Sequence, residues 1–134
     1  MSTSFRELEV WRKAMDLASE VYRFVRVMPK QEEYRPTAQL VRAAISIPAN
    51  IAEGHARATR KEYAQFISIA RGSAAELDTL IELAMRAEFA NPEVLRPLAE
   101  RIEHISRMLN RLHARLRDPP SNPQSPVPNP HGAP

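Results

Sequence analysis

The sequence of 134 residues contains no cysteine, only three glycines and no long apolar run. The missing cysteines exclude disulfide bonds and thiolate metal sites, and they fit a reducing compartment. No apolar run approaches the roughly 18 residues that a membrane-spanning helix needs. The first residues, MSTSFRELEVWRK, carry charge where a signal peptide would be apolar. We therefore expect a soluble, cytoplasmic protein.

Proline is abundant by contrast, and it is concentrated at the C-terminal end, where residues 118–134 read DPPSNPQSPVPNPHGAP. Each proline removes a backbone donor and clashes with the preceding helical turn. The stretch also has almost no apolar side chain to bury. We predict one domain over residues 1–117 and a disordered proline-rich tail over residues 118–134, with a proline-docking motif as the alternative.

The rest of the chain is rich in Ala, Leu, Glu and Arg, which are strong helix formers. Apolar residues recur at steps of three and four, and no segment shows the alternation of a strand. This periodicity predicts helices over about residues 5–27, 36–54, 59–88 and 92–116. Four amphipathic helices on short connections favour an all-α, antiparallel up-down four-helix bundle. The predicted core includes Trp11, Leu17, Phe66, Leu77, Ile105 and Leu112.

Several residues mark where these helices begin, bend or end. Thr59 and Asn91 are predicted N-caps, the second followed by proline at the first helical position. Pro48 lies inside the second helix and should bend it or remove one hydrogen bond, at a cost of about 3 kcal/mol unless repaired. Gly54 is a natural stopping point for the same helix.

The first predicted helix carries two neighbouring apolar stripes, which together cover about half of its circumference. One stripe consists of Leu8, Trp11, Met15, Ala18, Tyr22 and Val25. The other consists of Val10, Ala14, Leu17, Val21 and Phe24. Since one bundle seam needs less apolar surface, either this helix lies deep in its own bundle or the second stripe contacts another subunit. We predict self-association, with Val10 and Leu17 as interface positions.

No constellation of residues resembles an active site. None of the four histidines forms the Glu-x-x-His spacing of di-iron bundles, and glycine-rich phosphate loops and nucleophile motifs are absent. Glu53, Glu76 and Asp78 could act as acids or bases, but no converging His, Ser or metal set accompanies them. We therefore predict a protein that is not an enzyme and has no metal or cofactor.

Polar residues on the second and third helices suggest an interhelical network. The segment SIPANIAEG, residues 46–54, has a thin alanine-rich face that lets a neighbouring helix approach closely. The sequence ARGSAAEL, residues 70–77, offers donors and acceptors of matching kind. The predicted network consists of Asn50, Glu53, Arg71, Ser73 and Glu76. A ligand site would use the same groups, so that alternative stays open.

Basic residues form two clusters. Arg107, Arg111 and Arg115 follow one another at four-residue steps on the fourth helix, while Arg57, Arg60 and Lys61 lie at the turn between the second and third helices. Cations near a helix C-terminus offset its dipole, and a basic face can simply be solvated. Like charges at four-residue spacing repel, however, so local stability does not call for them. Binding of an acidic polymer would explain them.

Three motifs give the chain a family resemblance over residues 5–84. They are LEVW at residues 8–11, IPANIAEG at residues 47–54 and ARGSAAEL at residues 70–77. In this order they resemble the four-helix-bundle proteins encoded by intervening sequences in bacterial 23S rRNA genes. The resemblance implies an up-down bundle that assembles into a ring, often a pentamer, and a role with RNA. Some members resemble the accessory bundle protein of diversity-generating retroelements, which works with a reverse transcriptase and its template RNA.

Together these observations predict a homo-oligomeric helical bundle that binds RNA through an exposed arginine-rich surface and catalyses no reaction. The alternative is a protein-interaction scaffold, or an accessory subunit of a reverse transcriptase, without direct sequence-specific recognition of nucleic acid. The expected partners are the chain itself, as the resemblance implies, and RNA, with a reverse transcriptase as a further candidate.

Overall fold

A computed structural model describes residues 4–28 and 35–118. The described residues form one 3₁₀ turn, Phe5–Glu7, and four α-helices: α1, Glu9–Arg26; α2, Arg35–His55; α3, Arg60–Arg86; and α4, Pro92–Arg117. The predicted all-α class and the four helices are thereby confirmed. The first helix begins later than predicted, because Leu8 adopts an extended conformation between the 3₁₀ turn and α1. The predicted proline-rich tail, beyond Asp118, lies outside the described residues.

The N-termini of α3 and α4 are capped as the sequence predicts. The Thr59 hydroxyl accepts a hydrogen bond from the backbone N–H of Glu62 at 3.1 Å. The Asn91 side chain accepts one from the backbone N–H of Glu93 at 2.8 Å, and Pro92 occupies the first helical position. Each cap satisfies a donor that the first helical turn leaves without an intrahelical partner.

The helices pack as an antiparallel bundle in which α1 and α3 each contact both α2 and α4. The centre of the core is formed by fully buried aliphatic side chains from all four helices, among them Leu17, Ile47, Leu77 and Ile105. Of the six predicted core residues, Leu17, Leu77 and Ile105 are buried. The other three, Trp11, Phe66 and Leu112, are only half-buried.

Packing decides which stripe of α1 faces inward. Val10 and Leu17 are 7% and 0% exposed, so the prediction that they contact another subunit is wrong: they lie in the core of their own chain. The other stripe lies over the edge of the bundle, where Tyr22 is 56% exposed. The two stripes are adjacent on the helix and similarly apolar, so the sequence alone does not show which one is buried. The position of the neighbouring helices decides it.

Gly54 sets the spacing of α2 and α3. A Cβ atom at this position would lie 2.8 Å from Cβ of Phe66 and 3.2 Å from the carbonyl oxygen of Tyr63. The glycine is therefore needed for the close approach of α3, and α2 ends one residue later, at His55. Pro48 is buried inside α2, which stays continuous around it.

Among the described residues, no helix combines the length and the apolar character that crossing a membrane would require.

Candidate nucleic-acid interface at one end of the bundle

The two basic clusters, 55 positions apart in sequence, meet at one end of the bundle. Nη2 of Arg60, in the first turn of α3, donates hydrogen bonds to the main-chain carbonyl oxygens of Arg115 and Asp118, the latter at 3.0 Å. These carbonyls lie at the C-terminal end of α4, where the last carbonyl groups of a helix have no N–H donor within it. Arg60 therefore stabilises the end of α4 and brings the clusters together.

The members of the first cluster differ in how far their charge is offset. The Arg57 guanidinium lies 2.7 Å from Oε2 of Glu53 and 4.6 Å from the centre of the Phe66 ring. Both side chains of this ion pair are exposed, so water and salt screen it. Lys61 is also exposed. Among the described residues, the acceptors of Arg60 are neutral carbonyl oxygens, which do not offset its charge.

The second cluster, Arg107, Arg111 and Arg115, forms a ridge on α4, and all three side chains are exposed. Arg107 forms an ion pair with Glu103, at 3.5 Å. Arg111 and Arg115 line a cleft of about 240 Å³ with residues 8–10 at the start of α1. Arg115 also acts on Tyr63: burial raises the pKa of this phenol, and the positive charge of Arg115 opposes that rise. The ridge thus continues into the groove between α4 and the N-terminus of α1.

The charge of the chain is concentrated at this end. Residues 4–13, 53–64 and 107–118 together contain ten Lys or Arg and five Asp or Glu, a net charge of +5. The whole chain carries +3, so the remainder is net negative. The sequence analysis did not include Arg6, Arg12 and Arg117, because their position at this end of the bundle follows from the packing of the helices. Arg12 donates to the main-chain carbonyl oxygen of Arg6 at 3.2 Å.

The structure divides the predicted interhelical network into two parts. Between α2 and α3, the Ser46 and Ser73 hydroxyls lie 2.7 Å apart, and the Asn50 amide donates to the carbonyl and hydroxyl oxygens of Ser46 at 2.8 and 3.0 Å. Ser46, which the sequence analysis did not include, is thus the link between Asn50 and Ser73. Glu53 and Glu76 are exposed, and Glu53 pairs with an arginine of its own segment.

Arg71 faces α4 instead of α2. Its Nε donates to Oδ1 of Asn110 at 2.8 Å, and its Nη1 lies 3.1 Å from Nδ1 of His113. Since arginine can only donate, Nδ1 of His113 is the acceptor and the neutral imidazole carries its hydrogen on Nε2. Burial lowers the pKa of His113, and the charges of Arg71 and Arg117 lower it further.

Metal ligands do not converge in the part of the chain that the structure describes. No group of three or more His, Cys, Asp or Glu side chains there is placed to hold a metal ion.

A second type of surface is apolar. An open cleft of about 800 Å³ between α1 and α2 is lined mainly by apolar side chains, including Val25, Val41 and Ile45. On the outer face of α3, Ile69 and Leu83 are 51% and 56% exposed. Gly72 lies between them on the same face, and a Cβ atom there would meet no atom within 4 Å.

Fold and charge distribution define the class: an antiparallel four-helix bundle with its positive charge gathered at one end. The family model of the 23S rRNA-intervening sequence protein matches residues 6–111, so the chain belongs to that family. The match confirms the resemblance seen in the sequence and extends it through most of α4.

The structure is similar to the crystal structure of a protein of unknown function from the S23 ribosomal protein family of Bacteroides thetaiotaomicron VPI-5482. The TM-score is 0.74, the sequence identity is 24%, and the match covers 78% of this chain and 97% of that chain. At this identity the likeness shows the fold. A comparison with curated proteins gives no match.

Proposed function

We propose that this protein is a cytoplasmic, homo-oligomeric bundle that binds RNA through its basic end and catalyses no reaction. The observation that carries the proposal is the meeting of the two basic clusters, marked by the contact of Arg60 with the main chain of Arg115. A net charge of +5 on three segments at one end supplies the field that attracts a polyanion. The family to which the chain belongs takes its name from sequences within 23S rRNA.

Binding of this kind depends on phosphate contacts. Arginine side chains neutralise backbone phosphates and release counterions, so affinity falls steeply as salt rises. The aromatic side chains at this end, Phe5, Trp11, Tyr63 and Phe66, are all half-buried, and the guanidinium groups of Arg6 and Arg57 cover the Phe5 and Phe66 rings. Weak stacking gives weak discrimination between sequences. The expected ligand is structured RNA recognised by its backbone.

Self-association is supported by the apolar surfaces. Exposed Tyr22 on α1 and the cleft beside Val41 and Ile45 offer one face, while Ile69 and Leu83 on α3 offer a different one. Contacts between unlike faces build a ring when the rotation closes, of which a pentamer is one form. A ring repeats the basic end around its axis, so several weak contacts act together on one RNA.

The scaffold alternative has its own supporting observation. The apolar cleft between α1 and α2 is open to solvent, and large exposed apolar patches mark interaction sites. A partner protein such as a reverse transcriptase could cover this cleft without any contact between the bundle and nucleic acid.

A fluorescence titration of labelled, structured RNA at two ionic strengths tests the proposal. Replacing Arg107, Arg111 and Arg115 together by Gln should weaken binding and flatten its salt dependence. A matched control replaces Arg23, Arg26 and Arg86, which are exposed toward the opposite end, and changes the net charge by the same amount. If both variants lost the same RNA affinity, the effect would come from overall charge and not from the basic end. No binding by the assembled wild type at low salt would refute the proposal and leave the scaffold.

A further inference from the structure

The groove between α3 and α4 contains two cations that pair with no carboxylate among the described residues. Arg71 is held by Asn110 and His113, both neutral, and Arg117 lies one turn beyond His113 on α4. None of the ion pairs among residues 4–28 and 35–118 includes either arginine. Neutral acceptors orient a guanidinium and leave its charge in place. The groove therefore keeps the charge of two arginines.

Arg71 is well placed to bind a ligand. Bonds from Nε and Nη1 hold its guanidinium in one orientation, and an arginine that is already ordered loses less entropy when it binds. Nδ1 of His113 accepts from Arg71, so the imidazole helps to orient the guanidinium, and its Nε2 hydrogen points away on the opposite edge of the ring. A planar guanidinium, with a second cation nearby, suits the tetrahedral oxygens of a phosphate group.

We propose that Arg71 and Arg117, beside His113, form a phosphate-binding site in the groove between α3 and α4 that holds a backbone phosphate of bound RNA. This site rests on the proposed function and lies apart from the ridge of Arg107, Arg111 and Arg115. Arg71 donates to phosphate oxygens, and Arg117 supplies the second charge. Asn110 positions Arg71 through the bond to Nε.

The imidazole of His113 reports on the site directly. Burial lowers the pKa of His113, and the charges of Arg71 and Arg117 lower it further. A bound phosphate would offset those charges, so RNA should raise the pKa of His113. The measurement is an NMR titration of the His113 ring in the full chain, with pH, in the absence and presence of a saturating RNA hairpin.

Single substitutions give the second readout. Arg117→Gln removes a charge without removing any hydrogen bond described for that side chain, so the variant should fold normally and bind RNA about 5–10-fold more weakly at low salt. Arg71→Gln should show at least that loss, with folding checked by circular dichroism. The matched control is Arg86→Gln at the far end of α3, where the arginine pairs with Glu82 at 3.0 Å. The control should stay within about twofold of wild type.

The outcomes separate this site from the proposed function. If RNA binds and responds to the ridge variant, but the pKa of His113 is unchanged and Arg117→Gln behaves like Arg86→Gln, the groove site is overturned and the proposed function stands. If wild type binds no RNA, inorganic pyrophosphate replaces it in the NMR titration. A rise in the pKa of His113 would then support a phosphate site with another natural ligand, and no rise would overturn the site.

Discussion

A Cβ atom added to Gly54 would lie 2.8 Å from Cβ of Phe66, closer than such atoms approach in proteins. The obstruction includes the carbonyl oxygen of Tyr63, at 3.2 Å, so a change of side-chain rotamer alone cannot relieve it. Gly54→Ala should therefore separate α2 from α3 and lower the free energy of unfolding by about 1–3 kcal/mol. Urea denaturation of the variant measures this loss.

Gly72→Ala is the matched comparison, because the same substitution is made in open space on α3. Alanine is a better helix former than glycine in an exposed helix interior, so the variant should gain about 0.5–1 kcal/mol in stability. If Gly72→Ala also destabilised the chain at a concentration where it is monomeric, the outer face of α3 would be more crowded than the structure shows.

The bond between Arg71 and His113 predicts a pH dependence of stability. The folded chain holds the pKa of His113 below its ordinary value of about 6.5, so the unfolded chain takes up this proton first as pH falls. The stabilisation is present above about pH 6.5 and is lost as pH falls through the folded pKa. Protonation also removes the acceptor at Nδ1. Thermal denaturation between pH 8 and 5 should show a smaller decline for His113→Gln than for wild type, and equal declines would contradict the assignment.

Leu77 tests the core. Its side chain is fully buried on α3, and Leu77→Ala should lower stability by about 2–5 kcal/mol through lost burial and the cavity left behind. Leu83→Ala on the same helix is the control, because Leu83 is more than half exposed and should change stability by less than about 0.5 kcal/mol. Chemical denaturation gives both values. A loss below half a kilocalorie for Leu77→Ala would refute the assigned face.

The exposed apolar faces predict self-association. Sedimentation at roughly tens of micromolar should show an oligomer, since mass action favours assembly at higher concentration. Ile45→Asp and Ile69→Asp should each shift the distribution toward smaller species while the chain stays folded. Val94→Asp places the same charge on an exposed apolar site of α4 and should leave the distribution unchanged. A wild-type monomer at these concentrations would rule out the ring.

Residues close together in sequence were enough to predict the four helices and the starts of α3 and α4. Thr59 and Asn91 cap the helices that follow them because a capping side chain bonds to backbone two or three positions away. The turn at residues 5–7 was missed because a 3₁₀ turn has the same local composition as the helix after it. Tertiary packing also moved Trp11 and Phe66 from the predicted core to its edge.

The candidate site was predicted only in part, because contacts between helices depend on how the helices are arranged. The sequence by itself determined that this protein is an all-helical bundle of a recognisable family with two basic clusters, since periodicity and motif order are properties of neighbouring residues. Only the tertiary structure decided that Arg60 reaches the end of α4, and that Arg71 turns toward Asn110 and His113. Periodicity assigns a residue to a face of its helix, while the partner on that face depends on how the helices are arranged around the core. A long arginine side chain can reach several acceptors from one position, so its partner depends on how the helices pack.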